Sequence, residues 1–420
     1  MERRIIGAWL AALGLVAGCS GDPSSSSELT HEEGTGSSSG GASCVACTGS
    51  SGGSGSSSGS SHAGSSGGSG SSSSSGSSSG SGSGSGSGSS SGGPACGSSC
   101  PTTALPKHAL IGYWHDFANP SGPAYPISQV SDDWDVILVA FASNATPSGS
   151  MAFTLDPSLD AAQFKADVAA KRAAGKKVVL SLGGQDGTVT LNTASDVDNF
   201  VGSLSAIVTE YGFDGLDIDL ETGAGIIMGG PVQTNLVTGI QRIKAATLGP
   251  AFYLSMAPEH PYVQGGFVAY AGIWGSYLPI IDALRDDLTV LHVQLYNDGG
   301  MPTPWGTFQP TTEDLLVGSA EMLLAGFATA GGPAFKPLRP DQVAFGVPSG
   351  EASANPGNYV STDAIQAAYT CLATGTRCGT HTPAATYPDF RGVMSWSINW
   401  DSHDGATFSK PLATFLHAQR

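Results

Sequence analysis

From Leu105 onward, short apolar runs alternate with longer amphipathic stretches. Each apolar run is nearly continuous, which is typical of strands buried on both faces of a parallel sheet. The eight runs are Ala109–Trp114, Asp135–Ala142, Lys177–Gly184, Phe213–Glu221, Phe252–Glu259, Thr289–Asn297, Gln342–Ser349 and Gly392–Trp400. The helical candidates between them are Leu159–Ala174, Ser195–Tyr211, Val232–Thr247, Thr312–Ala328 and Ser361–Ala373.

The number and spacing of these runs predict the fold. Eight βα units within roughly 300 residues indicate an α/β protein with a single (β/α)8 TIM barrel. The alternative is an open doubly wound sheet, which often carries a Gly-rich phosphate-binding turn after its first strand. The first run continues as IGYWHDF and has no such turn, so a barrel over residues 105–420 is favoured.

The chain begins with a pattern typical of an export signal. Arg3 and Arg4 precede the apolar stretch Ile5–Ala17, which is too short to span a bilayer comfortably. The VAGC ending resembles a bacterial lipobox, which implies removal of residues 1–18 and lipid attachment to Cys19. The alternative is an ordinary secretory signal with a chance cysteine. Both interpretations predict export, as a cell-surface or outer-membrane lipoprotein or as a secreted protein.

Residues 19–104 consist largely of serine and glycine, with too few apolar side chains to offset the entropy of ordering. We expect a disordered tether that holds the folded domain away from its anchor. Besides Cys19, four cysteines fall in this segment, and export favours disulfides over a metal site for them: Cys44, Cys47, Cys96 and Cys100. Cys371 and Cys378 predict a disulfide that closes a short loop.

The charge balance narrows the range of partners. The chain has 17 Lys and Arg against 34 Asp and Glu, a formal net charge of −17. Nucleic acids are bound by clustered basic side chains, so this balance argues against them. We expect no cofactor and no metal, and a monomer whose only membrane contact is the lipid anchor.

The stretch GFDGLDIDLE, residues 212–221, places Asp217, Asp219 and Glu221 at alternate positions. Alternate side chains share one face of a strand, so these carboxyls line up about 6.6 Å apart, while the intervening apolar residues face the helices. Asp214 is off this parity and is assigned to the start of the strand. Crowded like charges raise at least one pKa, and a general acid must be protonated near neutral pH. Glu221 lies at the strand end where barrel enzymes carry out catalysis.

The structural alternative is a salt-bridged or metal-bound acidic cluster. Lys and Arg are absent from the neighbouring predicted strand ends. A metal site would usually add histidines or further carboxylates from adjacent strands. A reactive acid site is therefore favoured.

Several motifs on different predicted strands resemble the family 18 glycoside hydrolases. GFDGLDIDLE matches the family's DxxDxDxE signature, and LSLGG at residues 180–184 matches its SxGG motif. LIGYWHDF, FYLSMAPEHPY, LHVQLYNDGG and GVMSWSINWD are similar to segments of the bacterial secreted chitinases of this family. The resemblance runs from about residue 105 to residue 420. It implies a TIM barrel that hydrolyses β-1,4 links between N-acetylglucosamine units of chitin.

The resemblance also implies individual roles. Glu221 would protonate the glycosidic oxygen while the sugar's own N-acetyl carbonyl attacks the anomeric carbon, with net retention. Asp219 would hold the acetamido N–H, and Asp217 would share a proton with Asp219. Tyr296 would donate its hydroxyl to the acetamido oxygen. Trp396 would form the floor beneath the reacting sugar.

Further residues are candidates for the cleft. Gln294 and Met256 are predicted to point inward, where Gln294 would bond the sugar and Met256 would pack on it, unless both only fill the barrel. Tyr113, Phe141 and Asn297 are also expected to line the cleft.

Other polar and aromatic residues receive structural or peripheral assignments. The SxGG segment, Ser181, Gly183 and Gly184, is predicted to allow close strand packing rather than to touch substrate. Trp134 is assigned to the core. Three tryptophans near strand-end loops are candidates for further sugar subsites: Trp114, Trp274 and Trp305. Three histidines lack metal spacing and are assigned to the cleft or loops: His115, His260 and His292.

The mode of action follows from one short segment. Residues 350–391 are too few for the extra α+β domain that walls the cleft in some members of the family, so we expect an open groove and endo-action. An endo-β-N-acetylglucosaminidase acting on N-glycans is the alternative enzyme. A catalytically inactive chitin-binding lectin is disfavoured, because lectin members typically lose the acid at the position of Glu221.

Overall fold

The computed structural model describes residues 104–221 and 223–419. The predicted signal peptide, Cys19, the linker up to residue 103 and the four linker cysteines lie outside the described residues. Across the described ranges, no helix combines the length and the apolar character needed to cross a membrane.

Eight parallel strands in the described region form the centre of the fold. They are β1 (Ala109–His115), β2 (Val136–Asn144), β3 (Lys177–Gly184), β4 (Gly215–Leu220), β5 (Tyr253–Met256), β6 (Val290–Leu291), β7 (Ala344–Pro348) and β8 (Gly392–Trp396). Their hydrogen-bonded order is β7-β8-β1-β2-β3-β4-β5-β6. Bridges from Leu291 to Val343 and from Gln294 to Gly346 join the two outer strands into a nearly closed barrel. The predicted TIM barrel is confirmed.

Helices cover the outside of this barrel. They are α1 (Ala161–Ala173), α2 (Ala194–Tyr211), α3 (Pro231–Ala246), α4 (Leu278–Ala283), α5 (Glu313–Ala325), α6 (Thr362–Thr374), α7 (Ile398–His403) and α8 (Ser409–His417). Five of them correspond to the predicted helices, whereas α4, α7 and α8 were not predicted. Short antiparallel strands add Met151–Phe153 beside β2 and a hairpin of Met301–Thr303 with Gly306–Phe308.

The ends of α2 show why this helix begins and stops where it does. The Thr193 hydroxyl accepts the backbone N–H of Asp196, and the Asp196 carboxylate accepts the N–H of Thr193. This reciprocal pair satisfies two backbone donors that the first helical turn leaves unpaired. At the other end, Gly212 has φ 70°, a left-handed conformation that glycine adopts without a steric penalty. The chain can therefore turn directly into β4.

Alternation along β4 divides its side chains between two apolar layers, as predicted. Leu216, Ile218 and Leu220 are buried in the outer layer, among the side chains of the surrounding helices. The barrel interior holds a smaller apolar cluster, beginning with Ala109 and Ile111 of β1. The odd-numbered acids of β4 share the interior with this cluster.

Two of the tryptophan assignments can be compared with these layers. Trp134 is buried in the core and stacks on Phe408, as predicted. The prediction of a sugar subsite at Trp114 is wrong. Its ring is fully buried in the outer layer and stacks on Phe164 of α1 at 5.7 Å between centroids. Trp114 falls one position off the inward parity of β1, so it faces the helices.

Asp214 supports the start of β4, in agreement with its assignment. Its carboxylate accepts the N–H of Val178 at 2.9 Å and the Nε–H of Arg172 at 3.1 Å. The predicted disulfide is also confirmed, because Cys371 of α6 is bonded to Cys378.

Candidate active site

The three acids predicted from alternation form one column, which we call the acid ladder: Asp217, Asp219 and Glu221. Asp217 and Asp219 lie on β4 and are 0% and 2% exposed, while Glu221 follows the strand and is partly buried. The Tyr277 hydroxyl fixes the strand just before Glu221, because it accepts the N–H of Leu220 and donates to the Leu220 carbonyl. The ladder therefore runs from the barrel interior to the carboxyl ends of the strands.

Asp217, the deepest acid, is surrounded by hydroxyl donors from three other strands. Tyr113 of β1 and Ser181 of β3 each donate to its Oδ2 at 2.7 Å. Ser255 of β5 donates to its Oδ1 at 2.6 Å. His292 lies nearby, with Nε2 3.5 Å from the same Oδ1. Three hydroxyl donors stabilise the ionised form of a buried carboxyl.

Asp219 and Glu221 share one donor, the side-chain amide of Gln294. Its Nε2 lies 2.9 Å from Asp219 Oδ1 and 3.0 Å from Glu221 Oε1. It also donates to the backbone carbonyl of Ala257 at 3.1 Å. Gln294 therefore holds the two upper acids in fixed positions relative to each other.

The environment favours the protonated forms of both upper acids. Burial raises the pKa of Asp219 well above its ordinary value, and the charges of Glu221 and Asp217 raise it further. Burial is also the main cause that raises the pKa of Glu221 to about 7, while the hydrogen bond from Gln294 opposes this rise. Glu259, Asp186 and Asp298 add smaller electrostatic contributions in the same direction. Glu221 can therefore hold a proton near neutral pH, as a general acid requires.

Tyr296 stands close to the upper acids and is 7% exposed. Burial, followed by the charges of Asp219 and Glu221, raises the pKa of its hydroxyl well above the ordinary value. The phenol therefore keeps its proton and can act as a hydrogen-bond donor at the mouth of the barrel.

Aromatic rings form one wall of the same end of the barrel. Trp396, at the end of β8, is partly buried and stacks on Phe141 with 5.8 Å between ring centroids and 11° between ring planes. It also contacts Tyr113 at 5.5 Å and His115 at 5.6 Å. Such a cluster gives a large apolar ring little freedom to move, as a platform for a sugar face needs.

The glycines after Ser181 permit this crowding, in agreement with their predicted role. Gly183 has φ 102°, and an added Cβ would lie 2.4 Å from the carbonyl oxygen of Asp219. At Gly184 an added Cβ would lie 2.6 Å from the Phe141 ring. Ser181 itself was assigned to strand packing alone, and that assignment is incomplete because its hydroxyl is a donor to Asp217.

The structure places one predicted cleft residue elsewhere and gives a second one contacts to a loop. Met256 was expected to point inward, but it is buried in the outer layer, because its neighbour Ser255 takes the inward position opposite Asp217. Asn297 is exposed, its predicted place in the cleft stays a prediction, and it also fastens a loop. Its backbone N–H donates to Asn358 Oδ1 at 2.9 Å, and its Oδ1 accepts the N–H of Asn355 at 2.7 Å.

A second column of alternating side chains faces the acid ladder, and we call it the facing ladder: His292, Gln294 and Tyr296. His292 lies beside Asp217, Gln294 bonds Asp219 and Glu221, and Tyr296 is next to the upper acids. His292 was assigned to the cleft or a loop, but it is fully buried within the barrel. The sequence signal was the polar alternation in HVQLY, which has the same period as the acids.

Two of the remaining candidates are exposed, and a third, His260, is buried. Trp274 and Trp305 are 38% and 41% exposed, and Trp305 contacts the ring of His381 at 4.7 Å. His260 Nδ1 lies 2.9 Å from Asp298 Oδ2. No group of three or more His, Cys, Asp or Glu side chains suited to a metal ion occurs in the described part of the chain.

Comparison with known proteins gives consistent matches over the barrel. The model for "Glycosyl hydrolases family 18" matches residues 109–314. Chitinase Chi52 of Paenibacillus xylanexedens is 43% identical over 324 residues, covering 73% of this chain and 61% of that protein. Exochitinase 1 of Streptomyces olivaceoviridis is 42% identical over 337 residues, covering 73% and 55%. The chain thus spans about three fifths of the length of these curated relatives, or slightly less.

A solved structure is similar over the same region. The family GH18 chitinase from Chromobacterium violaceum is 60% identical, with a TM-score of 0.73. The match covers 76% of this chain and 87% of that one.

Proposed function

The chain belongs to glycosyl hydrolase family 18, and on this premise we propose that it is a chitinase that hydrolyses β-1,4 links between N-acetylglucosamine units. The observation that carries the proposal is Glu221, an acid at the barrel mouth whose pKa is raised to about 7. The names of the matched relatives indicate the substrate class. Within the facing ladder, Tyr296 would supply a hydroxyl donor to such a substrate.

In the proposed first step, Glu221 gives its proton to the glycosidic oxygen as the bond from that oxygen to the anomeric carbon breaks. The carbonyl oxygen of the substrate's own acetamido group bonds to the anomeric carbon, so no enzyme nucleophile is needed. Water then attacks that carbon from the vacated side and gives a proton to the Glu221 carboxylate, while the bond from the carbon to the acetamido oxygen breaks and the acetamido carbonyl is restored. The configuration is retained.

The neighbouring side chains would orient the acetamido group. Asp219 accepts the acetamido N–H and offsets the positive charge that develops on the ring formed in the first step. Tyr296 donates its hydroxyl to the acetamido oxygen, which its raised pKa supports. Trp396 supports the apolar face of the sugar.

The deepest acid has a more specific role in this scheme than proton sharing alone. Asp217 is bonded by Tyr113, Ser181 and Ser255, whereas Asp219 is bonded by Gln294. The charge of Asp217 raises the pKa of Asp219, so the proton that the two acids share would favour Asp219. The proton of the ladder is then kept on the upper acids, where the substrate binds.

We further propose endo-action along an open groove. The segment between β7 and β8 contains a short 3-10 turn, the helix α6 and a disulfide-closed loop, with no additional domain among its residues. One matched relative is named an exochitinase, so the cleavage products must distinguish endo-action from exo-action. The test uses an N-acetylglucosamine oligomer labelled at its reducing end. Random internal cuts would support endo-action, and release of disaccharide from one end only would contradict it.

Export with a lipid on Cys19 is proposed from the leader sequence alone. Expression in a bacterial host with labelled palmitate should label the wild-type chain and leave Cys19→Ser unlabelled. A secreted, unlabelled wild-type chain would contradict the anchor and leave the activity proposal unaffected.

The activity is tested with the purified protein and N-acetylglucosamine hexamer. Wild type should produce shorter oligomers, while Glu221→Gln should lose several orders of magnitude in kcat. Glu210→Gln is the matched control, because Glu210 is an exposed acid on α2 paired with Lys165. Trimming of an N-glycoprotein without cleavage of the hexamer would indicate the endo-β-N-acetylglucosaminidase. Binding of the hexamer without cleavage would indicate a lectin.

A further inference from the structure

Within the facing ladder, both ring nitrogens of His292 are buried and have no hydrogen-bond partner among the described residues. The imidazole is 0% exposed, so water cannot compensate from outside. Buried ring nitrogens are costly to leave unpaired, and such groups often mark functional sites. Its Nε2 lies 3.5 Å from Asp217 Oδ1, beyond a good hydrogen bond by a few tenths of an ångström.

The bonds to Asp217 leave one position free on its side facing His292. A carboxylate offers about four lone-pair sites, two on each oxygen. Oδ2 already accepts Tyr113 and Ser181, whereas Oδ1 accepts only Ser255. The unused site is therefore on Oδ1, the oxygen nearest to His292 Nε2.

We propose that His292 is a positioning residue that donates Nε2–H to Asp217 Oδ1 and so keeps Asp217 the ionised member of the acid ladder. This inference extends the proposed function, because it concerns how the same acids divide their protons. His292 would act through Asp217 and would not touch the substrate.

The groups around the imidazole are consistent with a neutral donor. Burial lowers the pKa of His292, and Asp217 on β4 opposes that change. Tyr113 of β1 faces it edge-on at 6.5 Å between ring centroids, and Tyr253 of β5 lies within the electrostatic range of the same Asp217. Burial raises the pKa of both phenols. Asp217 is thus the acceptor that a neutral imidazole at this position can serve.

Loss of this donor should make Asp217 easier to protonate. A hydrogen bond to an ionised group contributes enough to shift a pKa by about 1 unit or more. Protons would then pass from the upper acids to Asp217, which lies too deep to reach a glycosidic oxygen. The expected kinetic result is a lower kcat with a smaller change in KM, and a shift of the acidic limb of the pH profile to higher pH.

The decisive experiment titrates Asp217 by NMR in protein labelled with ¹³C at the aspartate carboxyls, with Asp217→Asn to assign the resonance. The variants are His292→Gln, which places an amide N–H near the position of Nε2, and His292→Asn, whose amide is too short to reach it. We expect Asp217 to titrate about 1 pH unit higher in His292→Asn than in wild type, and close to wild type in His292→Gln. This readout needs no turnover.

The matched control is His108→Gln. His108 is also a buried histidine with an unpaired Nε2, but it bonds the Phe390 carbonyl and is not in contact with the ladder. It should change thermal stability without moving the Asp217 titration. An unmoved titration in His292→Asn, or equal shifts in the Gln and Asn variants, would overturn the inference. A chain that titrates as expected but leaves the hexamer intact would instead overturn the proposed function.

Discussion

Glu221 is held in an environment that stabilises the folded protein only when its carboxyl is protonated. Its pKa rises from an ordinary value of 4.5 to about 7 in the folded state. The contribution of Glu221 to folding stability is therefore fully present below the unfolded-state pKa of about 4.5 and is lost as pH rises through about 7. Replacement by glutamine removes the charge and keeps a side chain of the same size with an oxygen that Gln294 can bond.

The free-energy cost of ionising Glu221 in the folded protein follows from the rise of its pKa. Each pKa unit corresponds to about 1.4 kcal/mol, so the ionised carboxylate costs about 3 kcal/mol at pH 8. This is an upper value, because Glu221 and Asp219 are coupled and the side chain is partly exposed. Glu221→Gln should therefore be inactive and yet more stable than wild type at pH 8 by up to that amount, and similar to wild type at pH 4.5.

The assay is urea unfolding at pH 4.5 and pH 8, with the Cys371–Cys378 disulfide intact. Glu210→Gln serves as the control for loss of a negative charge at an exposed position, and should show little change in midpoint at either pH. A Glu221→Gln protein no more stable than wild type at pH 8 would contradict the raised pKa of Glu221, as would equal stabilisation at both pH values.

Three further outcomes are expected. Gln294→Leu should raise the pKa of Glu221 further, since its amide bond opposes the rise, and move the basic limb of kcat/KM to higher pH; an unchanged limb would contradict the shared-donor geometry. Met256→Leu should leave the kinetics on the hexamer unchanged and cost less than about 1.5 kcal/mol in urea unfolding; a raised KM would return Met256 to the cleft. Cys371→Ser should lower the free energy of unfolding by about 2 kcal/mol with kcat retained, since it opens a loop with a sequence separation of 7 residues to Cys378.

Local pattern was sufficient for much of the fold. Near-continuous apolar runs predicted all eight barrel strands, and the amphipathic stretches predicted five of the helices. The three helices that were missed are short or come late: α4 and α7 have six residues each, and α8 has nine. Their positions depend on packing against the barrel, and an isolated segment of that length has little helical preference of its own.

The local pattern of residues is enough to place Asp217, Asp219 and Glu221 on one face, because the two-residue period of a strand is a local property of the backbone. It did not determine which side chains stand opposite them. Ser255 and not Met256 points inward because β5 pairs with β4 in one register, and a slip of one residue would exchange the two. His292 and Gln294 reach the acids because the stagger of strands around the barrel sets the level of each residue. That stagger arises only when all eight strands close together, so the tertiary structure alone decided the partners of each acid.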